Sequence, residues 1–330
     1  MYRMPIAVAA SVFVIATVIG GNKIMPKRVT SWLFALIIAV PILARAQAGE
    51  SVQALDPAYQ RSFEQWKAEL VDDLKKNWLT LAGLFWLKPG SNPFGTDESN
   101  EIVLPKGSAP AYAGSFELQG KDVTVKLVPG VHASIEGRPV NAAQLQPDTT
   151  GHATVLELQH LRLHVVRRGE RTGIRVKDLD SAAARDYRGP VFYPLNLGFR
   201  VNATWVPSTG NKTVNIPNVL GDVTSQPVAG EVRFKINGQE LRLTDLGGDP
   251  SKGLFFVFGD LTSKAETYPG GRFLQTGPVE NGTVELDFNR AYNPPCAVTP
   301  YATCPLAPKE NRLVVAIPAG EKYDRKHGYH

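Results

Sequence analysis

One proline-rich stretch, DFNRAYNPPCAVTPYATCPLAP from Asp287 to Pro308, holds both cysteines of the chain and a dense set of Asp, Asn, Arg and Tyr side chains. Phe258 to Thr262, Glu266 to Phe273 and Asn311 to Leu313 share its habit of placing polar residues beside Gly or Pro at strand ends, where loops fixed by a scaffold carry function. These stretches and the C-terminal Glu321 supply the candidate ligand-binding residues Asp260, Glu266, Tyr268, Arg272, Asp287, Asn289, Arg290, Tyr292, Asn293 and Glu321. Asp287, Arg272, Arg290 and Glu321 suit the orientation of a bound anion or carbohydrate, and Tyr268, Tyr292 and Tyr301 suit stacking on it. The competing reading is architectural: Asn and Asp cap turns, and Arg–Asp pairs tie loops together. A carboxylate-dependent hydrolase using residues such as Asp287 and Glu266 as acid and base is a further alternative, and it requires the pair to flank one cleft.

Cys296 and Cys304 are separated by seven residues that include Pro300. In an exported chain they are expected to form a disulfide, which by the chain-entropy model stabilises a loop this short by about 2.5 kcal/mol. Catalytic thiols are the alternative, for which no strong histidine partner stands out. The chain has no G-x-S-x-G elbow, P-loop, G-x-G-x-x-G, H-E-x-x-H or C-x-x-C motif. His160 and His164 stand four apart on an expected strand, roughly 13 Å from one another, too far for one metal without bending. No metal and no cofactor is expected, and no motif names a reaction, so whether the protein is an enzyme stays open.

The formal charge of +5 suggests nucleic acid at first sight. Arg3, Lys23, Lys27, Arg28 and Arg45 all lie within residues 1–46, which contain no acid; without these five, the 36 basic residues become 31, against 31 acidic ones. A chain with no net positive charge has no global field for phosphate backbones, so a nucleic-acid partner is not expected. Met25 to Arg28, the apolar run Trp32 to Leu43 and the A-x-A site Ala44-Arg45-Ala46 read as a secretory signal starting at Met25, with the mature chain beginning near Gln47. A second apolar run, Pro5 to Gly20, admits a membrane anchor through an uncleaved leader; neither run clearly reaches the roughly 20 residues that span a bilayer. The expected location is periplasmic or secreted, and the oligomeric state is not legible.

The elements that must position these residues come next. Asp56 as N-cap and Pro57 at the first helical position open a helix, and Tyr59, Phe63, Trp66, Leu70 and Leu74 recur at three- and four-residue steps along it, predicting an amphipathic helix over 57–76 within an N-terminal segment 47–77. From Trp78 the apolar period changes to two, in short strands separated by Gly, Pro and Asn turns, which predicts a β-sandwich over 78–180.

The run Phe94-Gly95-Thr96-Asp97-Glu98-Ser99-Asn100-Glu101-Ile102-Val103-Leu104-Pro105, followed by Ala113-Gly114-Ser115-Phe116 and Ile135-Glu136-Gly137-Arg138-Pro139-Val140, resembles a forkhead-associated domain. The resemblance implies a small β-sandwich that displays loops at one end, commonly for phosphothreonine. It does not carry the binding residues: Thr96 stands where the arginine is expected, the serine and histidine are absent around Ala109 to Tyr112, and Glu136 replaces the asparagine of the Asn-Gly turn. Without that arginine, bidentate phosphate recognition is not expected. Arg167 to Asp178, with five basic residues, reads as a seam into the next domain; an anion patch and a solvated hairpin with neighbouring acids are both open.

The segment 181–322 is again β. Alternation at Phe199, Val201, Ala203 and Trp205, a hairpin turning at Asn237-Gly238, the all-apolar Leu254 to Phe258, and alternation at Val284, Leu286 and Phe288 predict a barrel or sandwich, followed by a polar tail at 323–330. The Asp287–Pro308 stretch, with WLTLAGLFWL and FVFGDLT upstream, resembles the bacterial domain-of-unknown-function family sixteen-eighty-four over about residues 60–322. That resemblance implies membership and no activity. The expected protein is therefore mainly β, exported, and a binder of a small polar molecule or glycan fragment in its C-terminal domain, with a hydrolase or an envelope interaction module as alternatives.

Overall fold

The computed structural model describes residues 55–324, so the leader expected over 1–46 and most of the tail expected at 323–330 lie outside the described residues. Asp56 caps the helix Pro57–Asp73 by accepting from the Ala58 amide at 2.8 Å. The helix then widens into one π-helical turn, Leu74–Trp78, held where the Asp73 carboxylate accepts from Asn77 Nδ2 and Trp78 Nε1. Its apolar stripe faces the C-terminal half: Phe63 and Trp66 pack edge-on against Phe192, and Trp66 reaches the Tyr292 ring at 6.2 Å. Among the described residues no helix is long and apolar enough to cross a membrane.

The protein is mainly β. A six-stranded sheet runs in the order Leu81–Trp86, Arg171–Asp178, Leu161–Arg168, Val155–Leu158, Ala133–Ile135, Arg138–Val140, and a five-stranded sheet in the order Ile102–Val103, Gly90–Gly95, Gly114–Gln119, Asp122–Leu127, Ala142–Leu145. They form a sandwich around Phe94, Ile102, Phe116, Val125, Leu156, Leu163, Ile174 and Val176. The turn that joins Ile135 to Arg138 has positive φ at Glu136 and Gly137.

The C-terminal part contains no closed barrel. Its main sheet is four-stranded and antiparallel, in the order Gln239–Thr244, Gly230–Ile236, Arg200–Pro207, Thr283–Asp287, with two separate ribbons, Thr213–Pro217 with Val223–Pro227 and Phe255–Phe258 with Arg272–Gln275. Asp287 ends the last strand: its side chain caps a 3-10 turn at Phe288–Arg290, and irregular chain with short 3-10 turns continues to Asp324. Asn237-Gly238 makes the expected tight turn, both residues at positive φ between the paired Ile236 and Gln239. The all-apolar strand is covered on both sides: Phe256 and Phe258 enter the core with Leu274, Leu286 and Phe288, while Val257 enters a second cluster with Phe273, Cys296 and Cys304.

Candidate functional site

The residues expected to bind a ligand do not converge on one cleft. Arg272 is 0% exposed and forms an ion pair with Asp260 at 2.7 Å, while its other donors reach the Ile317 and Ala319 carbonyls. Asp260 also accepts from the Thr262 amide and hydroxyl. This group is closed and joins three chain segments, with Asp260 and Arg272 satisfying each other. Tyr268 is likewise buried, its hydroxyl 3.3 Å from Cys296 Sγ and its ring edge-on to Tyr323. Glu266 is exposed and accepts from the Tyr193 hydroxyl at 2.9 Å.

Asp287, Asn289 and Arg290 form a second closed group. The Tyr59 hydroxyl donates to both Asp287 oxygens at 3.0 Å, and burial beside that carboxylate raises the Tyr59 phenol well above its ordinary range. Asn289 exchanges hydrogen bonds with the Asn196 backbone, and Arg290 donates to Ser62 Oγ beside the Trp66 ring. These residues dock the N-terminal helix. Asp287 and Arg290 also border an open cleft of about 710 Å³, but its cations are already paired, Arg200 with Glu285 at 2.9 Å and Arg290 with Asp287 at 3.3 Å.

Glu321 is placed by Gly320, whose φ of +81° and approach to the Ala291 carbonyl leave no room for a Cβ. Its carboxylate accepts from the Asn293 amide at 2.7 Å and forms no ion pair among the described residues. Burial pushes its pKa up to about 8. Cys296 and Cys304 are free, buried thiols rather than the expected disulfide, with the Cys296 amide 3.3 Å from Cys304 Sγ.

A different constellation emerges around Arg175. The strand Arg171–Asp178 is buried on both faces: Ile174 and Val176 enter the sandwich core, so Arg175, by the two-residue period, points the other way, towards the Cys296–Cys304 loop. Arg175 is 8% exposed, and among the described residues its side chain makes one hydrogen bond, from a terminal nitrogen to the Tyr301 carbonyl at 3.4 Å. No carboxylate pairs with it among the described residues. Burial, and then the neighbouring Arg168, make its charge costly, which lowers its pKa against a smaller favourable effect of Asp148, the carboxylate paired with Arg168. Arg168 is held at 3.0 Å from Thr303 Oγ1 and 2.7 Å from Asp148.

Both arginines line a cleft of about 340 Å³ whose other walls include Leu70, Leu74, Trp78, Phe273, Tyr292, Asn293 and Cys304. Burial first, then Asp73, raises the Tyr292 phenol, which keeps it protonated and a donor. Asp73, the one acid bordering the cleft, is engaged by Asn77 and Trp78. Of the expected residues, Tyr292 and Asn293 belong to this cleft. Arg168, Arg175, Trp78 and Thr303 were absent from the expected set; the available signal was the anion-patch reading of Arg167 to Asp178 together with Arg175 standing between Ile174 and Val176. His160 precedes its strand, 3.6 Å from Asp178, and burial and then Arg175 depress His164 to about 4.

Residues 185–322 match the family described as protein of unknown function (DUF1684). The match starts later than the resemblance from residue 60 implies. A solution NMR structure of an uncharacterized protein of Haloarcula marismortui is 30% identical, covers 43% of this chain and 80% of its own, and has a TM-score of 0.36. Two forkhead-associated domain structures, one from work on phosphothreonine-dependent interactions and one of FhaA complexed with an intracellular domain, are each 17% identical. Each covers 28% of this chain, 92% and 97% of their own respectively, at a TM-score of 0.21. No curated protein matches.

Proposed function

We propose that this protein binds a small organic anion in the cleft formed by the π-helical turn, the hairpin of Leu161–Arg168 with Arg171–Asp178, and the Cys296–Cys304 loop. The observation that carries this reading is Arg175: a guanidinium 8% exposed, with no carboxylate partner among the described residues, bordering a cleft. A buried carboxyl escapes the cost of burial by taking up a proton, but a guanidinium stays charged and needs an anion. The volume of about 340 Å³ falls in the range of small-molecule sites. Trp78, Phe273 and Tyr292 offer aromatic surface for an apolar body, and Arg175 with Arg168 offers planar donors for a carboxylate. This moves the ligand from the strand ends of the C-terminal part to its junction with the sandwich, and Tyr292 and Asn293 keep their expected role.

The hydrolase alternative receives no support from this cleft, which among the described residues is not flanked by two carboxylates. Export through a leader cleaved near Gln47 remains part of the proposal, and N-terminal sequencing of the mature protein tests it. The binding reading is tested by calorimetry of the full chain against benzoate, aliphatic monocarboxylates, inorganic phosphate and neutral amide analogues. Binding of a carboxylate, absent for its amide and lost in Arg175→Met, is expected. Equal binding of the amide, or no binding of any anion to the wild type, overturns the proposal.

A further inference from the structure

The loop that holds the two cleft arginines is bounded by the two cysteines. Tyr301, whose carbonyl receives Arg175, and Thr303, whose hydroxyl receives Arg168 Nε, both lie among the seven residues between Cys296 and Cys304. The loop's far end is anchored where Val219 donates to the Cys304 carbonyl at 3.1 Å. Its near end begins in the 3-10 turn Pro295–Ala297, which opens at the second of two consecutive prolines. The loop brings the two cysteines together: the Cys296 amide is 3.3 Å from Cys304 Sγ. The Tyr268 hydroxyl lies 3.3 Å from Cys296 Sγ, while Cys304, 5% exposed, borders the cleft.

We propose that Cys296 and Cys304 are a reversible thiol–disulfide couple, oxidised by low-molecular-weight disulfides through Cys304, whose closure rigidifies the loop that positions Arg168 and Arg175. The coupling to anion affinity rests on the cleft reading above; the couple itself does not. In the first step Cys304, once it gives up its proton against the raised pKa that its interaction with Cys296 and burial impose, attacks the small disulfide, forming a mixed disulfide and releasing one thiol that carries that proton. Cys296 thiolate then attacks Cys304 Sγ, breaking the mixed disulfide and releasing the second thiol. The two cysteines lose two electrons and two protons, which leave on the two released thiols. In the dithiol the interaction with Cys304, and then the Tyr268 hydroxyl, lower the Cys296 pKa against the opposing effect of burial; once Cys304 is in the mixed disulfide, the Tyr268 hydroxyl, 3.3 Å from Cys296 Sγ, is the donor that remains to the resolving thiolate.

Closure restricts a loop whose groups orient both guanidiniums, and pre-organised groups have less to lose on binding. The full chain is equilibrated in glutathione buffers of rising disulfide fraction. Thiol content is read by alkylation and mass spectrometry, loop order by hydrogen exchange over residues 297–303, and anion affinity with benzoate. Reversible bridging, slower exchange of the loop and a fall in the benzoate Kd of about threefold to tenfold are expected. Cys296→Ser should form no intramolecular bridge, stopping at a mixed disulfide on Cys304, and should show neither the slower loop exchange nor the gain in affinity. Thiols that remain alkylatable in the most oxidising buffer overturn the couple, as does slower loop exchange surviving in Cys296→Ser. Bridging with unchanged loop exchange overturns the rigidification, and bridging with unchanged benzoate affinity overturns the coupling. Benzoate binding to neither form overturns the cleft reading and the coupling with it, while alkylation and exchange still decide the couple.

Discussion

Arg272 and Arg175 are both buried arginines, 0% and 8% exposed, and both leave Nε without a hydrogen-bond partner. They differ in charge balance. Arg272 faces Asp260 at 2.7 Å and also donates to two carbonyls, whereas Arg175 reaches one carbonyl at 3.4 Å and no carboxylate among the described residues. Glu321 shows a third solution, since a carboxyl without an ion pair can neutralise itself by holding its proton. Burial of a charged residue type therefore does not mark a site by itself. The informative case is a buried charge that can neither pair nor neutralise.

This contrast can be broken by experiment. The largest effect is expected for Arg272→Met, which leaves Asp260 buried without its partner and should cost about 3–5 kcal/mol in chemical denaturation. Glu321 follows. Its folded pKa of about 8 lies above its ordinary 4.5, so between those values the unfolded chain has released a proton that the folded chain keeps. Stability should accordingly fall as pH rises from about 4.5 to about 8, and Glu321→Gln should flatten that part of the profile. A stability curve from Glu321→Gln parallel to the wild type would show that Glu321 is ionised in the folded protein.

Arg175→Met should do what Arg272→Met does not: leave stability unchanged or raised, because it removes a buried charge whose partner is absent. It should also weaken carboxylate binding by about 1.5–3 kcal/mol, measured by calorimetry. A loss of stability as large as that of Arg272→Met would make Arg175 architectural and end the distinction. The smallest effect is expected for Tyr59→Phe, which keeps the ring against its neighbours and removes the hydroxyl that donates to Asp287. A cost of about 1 kcal/mol in urea denaturation, with carboxylate affinity retained, places the Asp287 group in helix docking alone.

Local signals were legible where they act within a few residues. Asp56-Pro57 opens the helix, Asn237-Gly238 turns the hairpin, and the unbroken apolar run at Phe255 to Phe258 is covered on both faces. The expected site was legible in composition and not in partnership. Asp260 and Arg272 look like ligand-orienting residues until each is found to satisfy the other, and Asp287 looks free until Tyr59, 228 positions away, donates to it. Arg175 was obscured in the opposite sense. Its flanking charges suit a solvated hairpin, and only the return of Tyr301, 126 positions later, covers the second face of its strand.

The sequence alone determined the mainly β architecture, the helix and the location of its turns, because periodicity, caps and turn residues act between near neighbours. It also placed the two cysteines at the ends of one short loop. The tertiary structure decided which polar residues were consumed by one another and which were left over. Ion pairing and burial are set by whatever chain arrives on the opposite face, and for Asp287, Arg272 and Arg175 that chain comes from a distant part of the sequence.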